Sequence, residues 1–171
     1  MIIVKKITRP IKDEDKILLL RVDEFRKIVE NEKYVDVLAN DSPSKDGSIS
    51  KSYYYYLLEK FRDLGLLKDN SIAFRYGFVF DPPLNGNSLK LYDDFIYVSK
   101  KGYLIIYDSA YCNSSCDECK YKEVCTFAIK TIRDEHSLEI RSSINREAWA
   151  ETLNKIKEYI HKSGKCPRSM K

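Results

Sequence analysis

The spacing of hydrophobic residues along the chain changes from a helical period to a strand period. In residues 17–39 apolar residues recur at helical spacing and are interrupted near residues 30–33, which predicts two helices. Residues 40–48 are polar and include Asp, Ser, Pro and Gly, which predicts a loop. Aromatic and branched residues between turn signals then predict a sheet of two or three strands. The predicted strands are residues 72–80, 89–98 and 102–107.

Residues 49–67 carry the clearest helical signal in the chain. One face of this helix is apolar, and its members are Ile49, Tyr54, Leu57, Leu58, Phe61 and Leu64. Ser50 is predicted to cap the first turn, because its hydroxyl accepts a hydrogen bond from an otherwise unpaired backbone N–H. Gly65 is predicted to end the helix, because glycine tolerates the left-handed conformation that closes a last turn. We expect Tyr54 to be buried and its neighbouring tyrosines to be partly exposed.

The last part of the chain contains one ambiguous segment and one clear helix. Residues 126–140 fit a helix or a strand equally well. Residues 144–162 predict a helix with an apolar stripe formed by Trp149, Leu153, Ile156 and Ile160. This stripe packs either on the rest of the chain or on a second copy, so a homodimer is one of two alternatives. We expect two domains, residues 1–109 and residues 110–171.

Composition limits the classes of protein to which the chain can belong. Lys and Arg number 30 and Asp and Glu number 26, a net charge of +4. This excess is too small to steer nucleic acid by total charge, so any basic surface must be local. The apolar runs are far shorter than the roughly 20 residues that span a bilayer, and the first residues do not form a signal peptide. We therefore expect a cytoplasmic protein without a membrane partner.

Four of the five cysteines, Cys112, Cys116, Cys119 and Cys125, lie in one short segment. Converging thiolates bind a zinc ion or a four-iron, four-sulfur cluster, and the metal replaces a core that a short loop cannot build. A structural metal site with these four ligands is therefore predicted. Disulfide bonds are the main alternative, because the tyrosine-rich composition is typical of hot-living archaea, whose cytoplasm tolerates them. Cys166 is either free or a substitute ligand for Cys112.

Residues 49–67 resemble the recognition helix of winged helix-turn-helix DNA-binding proteins of archaeal type. In that family a small polar residue opens the helix, apolar residues follow at spacings of four and three, and a Leu-Gly-Leu turn leads into the wing. The matching positions are Ser50, Tyr54, Leu58, Phe61, Leu64, Gly65 and Leu66. The resemblance covers residues 17–107. It implies an α+β fold in which a winged helix-turn-helix domain precedes a four-cysteine metal-binding loop and a C-terminal helix.

The same resemblance implies double-stranded DNA as a partner. A recognition helix anchors one face to the core and inserts its opposite face into a major groove about 12 Å wide. Hydroxyl and amine side chains on the free face contact phosphates or base edges, and basic residues near the wing follow the DNA backbone. The candidate DNA-binding residues are Ser50, Lys51, Ser52, Tyr55, Tyr56, Lys60, Arg75 and Lys90.

The cysteine segment carries two further resemblances. Its C-x2-C-x5-C stretch is similar to that of helicase-linked nucleases with a four-iron cluster, but the clustered carboxylates of those enzymes are not found. A winged helix followed by an iron–sulfur motif is also the order in the beta subunit of archaeal transcription factor E. That resemblance implies Cys116, Cys119 and Cys125 as three ligands and RNA polymerase as a partner. Cys112 and residues 126–171 depart from the pattern of that family.

These patterns predict a DNA-binding transcription regulator or transcription initiation factor with a structural four-cysteine metal site. The alternative is a protein-interaction subunit of a transcription or replication complex that does not read DNA bases. No glycine-rich phosphate loop, nucleophile elbow or carboxylate pair is found, so no enzyme and no catalytic residue is predicted. The two histidines, His136 and His161, are expected at the surface.

Overall fold

A computed structural model describes residues 1–12, 16–43, 47–81, 90–112 and 115–162. Within these residues the strands are β1 (Ile2–Lys6), β2 (Ile17–Arg21), β3 (Leu67–Lys68), β4 (Ser71–Ile72), β5 (Tyr76–Asp81), β6 (Lys90–Val98) and β7 (Tyr103–Tyr107). The helices are α1 (Val22–Val29), α2 (Glu32–Ala39), α3 (Lys51–Asp63), α4 (Lys122–His136) and α5 (Asn145–Lys162). Two short 3-10 turns, Ser109–Tyr111 and Cys116–Glu118, precede α4. The α+β class is therefore confirmed.

Five of these strands form one mixed sheet in the order β1-β7-β6-β5-β2. β2 pairs with β5 in parallel, and the other neighbouring strands are antiparallel. β3 and β4 form a separate hairpin directly after α3. The three strands that the sequence analysis assigned to a small sheet thus lie in the middle of a larger one. Its edges are β2 and the N-terminal strand β1, neither of which was predicted.

Helices cover both faces of this sheet. On one face α1, α2 and α3 pack against Val79, Ile96, Val98, Leu104 and Ile106. On the other face α4 and α5 pack against Tyr76, Phe78, Phe95, Tyr97, Ile105 and Tyr107. Successive residues of a strand point to opposite faces, and here both sets are apolar. The segment after residue 109, which the sequence analysis assigned to a second domain, supplies the second helical layer.

The first predicted helical region contains a strand as well as two helices. Residues 17–21 form β2 instead of the first turn of a helix, which corrects the prediction. This apolar run pairs in parallel with β5 at the edge of the sheet, where Leu18 and Leu20 are buried and Ile17 and Leu19 are partly buried, so neither face of the strand is polar. The predicted break near residue 31 is confirmed, because Asn31 accepts a hydrogen bond from the Lys33 backbone N–H at 3.0 Å and caps α2.

The helix predicted within residues 49–67 is confirmed as Lys51–Asp63, with Ser50 and Gly65 at its two ends as predicted, whereas Leu67 already belongs to β3. The Ser50 hydroxyl oxygen accepts a hydrogen bond from the Tyr53 backbone N–H at 3.2 Å. Gly65 has a φ of +82°, the left-handed conformation that ends the helix. Tyr54 is buried, whereas Tyr55 and Tyr56 are more than half exposed, as predicted.

The apolar stripe of α5 is buried inside the chain. Trp149, Leu153, Ile156 and Ile160 are each at most 1% exposed and pack with α4 and the sheet. The stripe is therefore not available as a homodimer interface, which corrects that alternative. The ambiguous segment before it forms most of α4 and is helical. None of the described helices combines the length and the hydropathy that a membrane crossing requires.

A buried ion cluster links the first helical layer to the start of the cysteine segment. The Arg26 guanidinium contacts the carboxylates of Asp108 and Asp94, both fully buried. Asp94 also accepts hydrogen bonds from the Ser109 backbone N–H and hydroxyl, each at 2.7 Å. Asp108 accepts one from the Ala110 backbone N–H at 3.1 Å and so caps the turn Ser109–Tyr111. The ion cluster thereby fixes the direction in which the chain leaves β7.

We predict that Arg26→Met lowers the free energy of unfolding by about 3 kcal/mol, because it leaves two buried carboxylates without the cation that both contact. Urea denaturation at neutral pH measures this change. The matched control is Arg21→Met, which removes an exposed pair with Asp23 and should change stability by less than about 0.5 kcal/mol. Equal stability losses in the two variants would contradict a structural role for the buried cluster.

Candidate functional site

All four clustered cysteines line a single pocket at one end of the second helical layer. Cys112, Cys116 and Cys119 come from the segment between β7 and α4, and Cys125 lies one turn inside α4. Cys125 is buried, and the other three are partly exposed. The structure thus brings together the four predicted ligands. Cys166, the predicted substitute ligand, lies outside the described residues.

Short local structures place these thiols. The 3-10 turn Cys116–Glu118 positions Cys116, and the Cys119 backbone N–H donates to the Cys116 carbonyl at 3.3 Å. The Cys119 carbonyl then accepts from the Lys122 N–H at 3.1 Å, where α4 begins. None of the side chains in that 3-10 turn is buried. The turn is therefore held mainly by backbone hydrogen bonds.

Aromatic side chains close the inner wall of the pocket. The indole N–H of Trp149 donates to the Cys125 sulfur at 2.8 Å. The Trp149 ring stacks on Tyr107, with ring centroids 4.7 Å apart and an interplanar angle of 12°. Trp149 is fully buried, so this contact joins α5, α4 and β7 at the pocket. Donors directed at cysteine sulfur favour the thiolate form, which is the form that binds metals.

The electrostatics of the pocket depend on how many thiols are ionised together. The pKa of the Cys125 thiol is raised to about 11, first by burial and then by the nearby thiols of Cys112, Cys116 and Cys119. The Trp149 N–H opposes this shift. Arg146 hydrogen-bonds to Cys112, and this contact raises the pKa of the guanidinium. Four thiolates in one place would repel one another, and the cationic side chains that line the pocket are those of Arg146 and Lys122.

Two observations describe the space between the thiols. The pocket has a volume of about 20 Å³, room for one ion or one water. Within the described part of the chain, however, His, Cys, Asp and Glu side chains form no group of three or more arranged to hold a metal ion. The four thiols thus line one pocket without forming such a group.

The candidate DNA-binding residues fall into two groups. Ser50, Lys51, Ser52, Tyr55 and Tyr56 are exposed at the N-terminal half of α3, and Lys60 is half-buried further along the same helix. Lys90 is exposed at the start of β6, with its ammonium 5.4 Å from the centre of the Tyr92 ring. Five of these residues thus lie in α3, and Ser50 caps it.

Arg75 is buried, which corrects its assignment to the DNA-binding surface. It is 4% exposed, and its guanidinium donates to the Val98 carbonyl at 2.9 Å. Its charge lies 4.0 Å from the Glu135 carboxylate. An arginine enclosed in this way cannot reach a phosphate.

Sequence reasoning missed a polar cluster between the sheet and α4. The His136 ring nitrogen Nε2 lies 3.2 Å from the Tyr76 hydroxyl and 3.3 Å from the Tyr97 hydroxyl, and burial lowers the pKa of His136. The Tyr97 hydroxyl donates to Glu135 at 2.9 Å. His136 is therefore half-buried, which corrects its expected surface position, whereas His161 is exposed as predicted. The members are far apart in sequence, so no local spacing indicates the cluster.

Comparisons with known proteins add no relative to this picture. No protein-family model, no curated protein and no solved structure matches the chain.

Proposed function

We propose that this protein binds a metal centre through Cys112, Cys116, Cys119 and Cys125, and that the centre has a structural role. The observation that carries the proposal is that all four thiols line one pocket. Thiolates select zinc and iron–sulfur clusters among the common metals of proteins. The indole N–H of Trp149 and the guanidinium of Arg146 stand beside the thiols, as outer partners of metal ligands commonly do.

Two observations bear on the identity of the metal. The volume of the pocket fits a zinc ion, whose sulfur ligands all lie about 2.3 Å from the metal. The C-x2-C-x5-C spacing from Cys116 to Cys125 resembles that of four-iron cluster proteins and favours a cluster whose irons each take one thiolate. On the strength of this spacing a four-iron, four-sulfur cluster is the proposed occupant, and zinc is the alternative.

We predict that protein purified without oxygen is brown and contains about four irons and four sulfides per chain. Cys116→Ser should lose most of this metal, because it removes one of four thiolate ligands. Iron, zinc and sulfide analysis together with the absorption spectrum measure the outcome.

Cys166→Ser is the matched control, since it removes the fifth cysteine and should leave the metal content unchanged. If the protein is colourless and contains one zinc per chain, the proposed occupant of the four-cysteine site is zinc and not the cluster. Metal-free protein with paired cysteines in a thiol titration would contradict the metal centre altogether.

A second candidate function, binding of double-stranded DNA, is supported by the N-terminal half of α3. Ser50 caps the helix, its first turn contains no acidic residue, and Lys51 is exposed there. The positive end of a helix dipole and a lysine both attract phosphates. Three consecutive helices followed directly by the β3–β4 hairpin also agree with the order of a winged helix-turn-helix. On this proposal the protein acts as a transcription regulator or initiation factor, without catalysis.

We predict that the protein binds duplex DNA with an affinity that falls as salt rises, and that Lys51→Ala lowers the slope of log affinity against log salt by about one. Fluorescence anisotropy of a labelled duplex at several salt concentrations measures this slope. Lys130→Ala, an exposed lysine in the opposite helical layer, is the matched control and should leave the slope unchanged. Absent or salt-insensitive binding would instead favour the protein-interaction subunit.

A further inference from the structure

A cleft lies beside the candidate DNA-binding face, between α1, α2 and α3. Its volume is about 240 Å³. Ile28, Leu57 and Phe61 form its floor, and each is buried in the core of the first layer. Since these core side chains fix the positions of the surrounding helices, the cleft is part of the folded structure. We call it the tyrosine cleft, because Tyr34, Tyr53 and Tyr56 form its wall.

The three tyrosine rings are neighbours, with Tyr34 tilted by 49° relative to Tyr53 and Tyr53 stacked with Tyr56. The ring centroids of Tyr34 and Tyr53 are 5.8 Å apart, and those of Tyr53 and Tyr56 are 5.5 Å apart in a stacked arrangement. The Tyr53 hydroxyl donates to the Tyr34 hydroxyl at 3.1 Å. Tyr53 and Tyr56 are nevertheless 39% and 56% exposed. Ring faces that are organised and yet open to water are suited to stack on a planar ligand.

Charged groups at the rim define the chemistry of that ligand. Among the described residues that line the tyrosine cleft, Lys27 and Lys60 are basic and Glu30 is acidic. Two ammonium groups beside an aromatic wall match a phosphate attached to a planar base. A carboxylate at the same site accepts hydrogen bonds from the exocyclic amino groups of bases. Stacking, phosphate contact and edge recognition are thus available within one cleft.

We propose that the tyrosine cleft binds an unpaired nucleobase, so that the protein prefers single-stranded or melted DNA to duplex DNA. This inference rests on the nucleic-acid binding proposed above and specifies the form of the ligand. Within a duplex the base faces are covered by their neighbours, and a concave cleft cannot reach them. In a single strand the bases can turn outward and stack on tyrosine rings, with little dependence on sequence.

The test compares a tyrosine of the cleft with a tyrosine outside both proposed sites. Tyr53 lines the cleft, whereas Tyr159 is 49% exposed on α5, in the opposite helical layer. Affinities of the full chain for a labelled single strand and for the matching duplex are measured by fluorescence anisotropy. Tyr53→Ala should weaken single-strand binding roughly tenfold, because it removes one stacking partner. Tyr53→Phe keeps the ring and should restore most of the affinity, and Tyr159→Ala, the matched control, should leave it unchanged.

The outcomes separate this inference from the duplex proposal. Tighter binding of the single strand, lost in Tyr53→Ala and restored in Tyr53→Phe, supports the cleft as the base site. Duplex binding that equals or exceeds single-strand binding, or an unchanged affinity in Tyr53→Ala, overturns the inference and leaves the duplex proposal standing. Binding to neither form overturns both. Circular dichroism and thermal melting confirm that each variant folds.

Discussion

The central strands β5, β6 and β7 bury apolar side chains on both of their faces, and the rest of the structure depends on covering both. One face of the sheet is covered by α1, α2 and α3. These helices lie between β2 and β5 in the sequence and pack on the sheet where the chain crosses from one of these parallel strands to the other. The second cover is made by α4 and α5, which follow all seven strands. Without these two helices Phe78, Phe95 and Tyr97 would be exposed to water. The path of the chain into α4 therefore determines whether the second face of the sheet is covered.

That path is the cysteine segment, which has little hydrophobic structure of its own. Where it leaves β7, backbone N–H groups donate hydrogen bonds to the buried carboxylates of Asp94 and Asp108. It then reaches α4 through a 3-10 turn without a buried side chain. At its far end the Cys125 sulfur meets the Trp149 indole beneath the sheet. A metal bound by thiols from both parts would connect the turn to the helix and replace the apolar contacts that so short a segment lacks. A structural role for the proposed centre follows from this position.

The elements that could be predicted from sequence are those specified by local signals. α3 was predicted together with its ends, because Ser50 and Gly65 act on backbone groups within a few residues of themselves. β2 was missed because a short apolar run has the same pattern in a buried strand and in a buried helix, and only its pairing with β5 distinguishes the two. The grouping of the four cysteines was predicted from their spacing, and the structure places all four in one pocket. The burial of Arg75 and the position of His136 depend on partners far along the chain, so composition and periodicity contain no sign of them.

The two proposed sites lie on opposite faces of the sheet, and this separation limits how they can influence each other. The cysteine pocket belongs to the layer of α4 and α5, whereas the tyrosine cleft belongs to the layer of α1, α2 and α3. The hydrogen bond from Tyr53 to Tyr34 raises the pKa of Tyr53 to about 12. The charged residues that line the tyrosine cleft are Lys27, Lys60 and Glu30, and none of them lines the cysteine pocket. The Arg26 ion cluster connects the first layer to the chain that enters the cysteine segment.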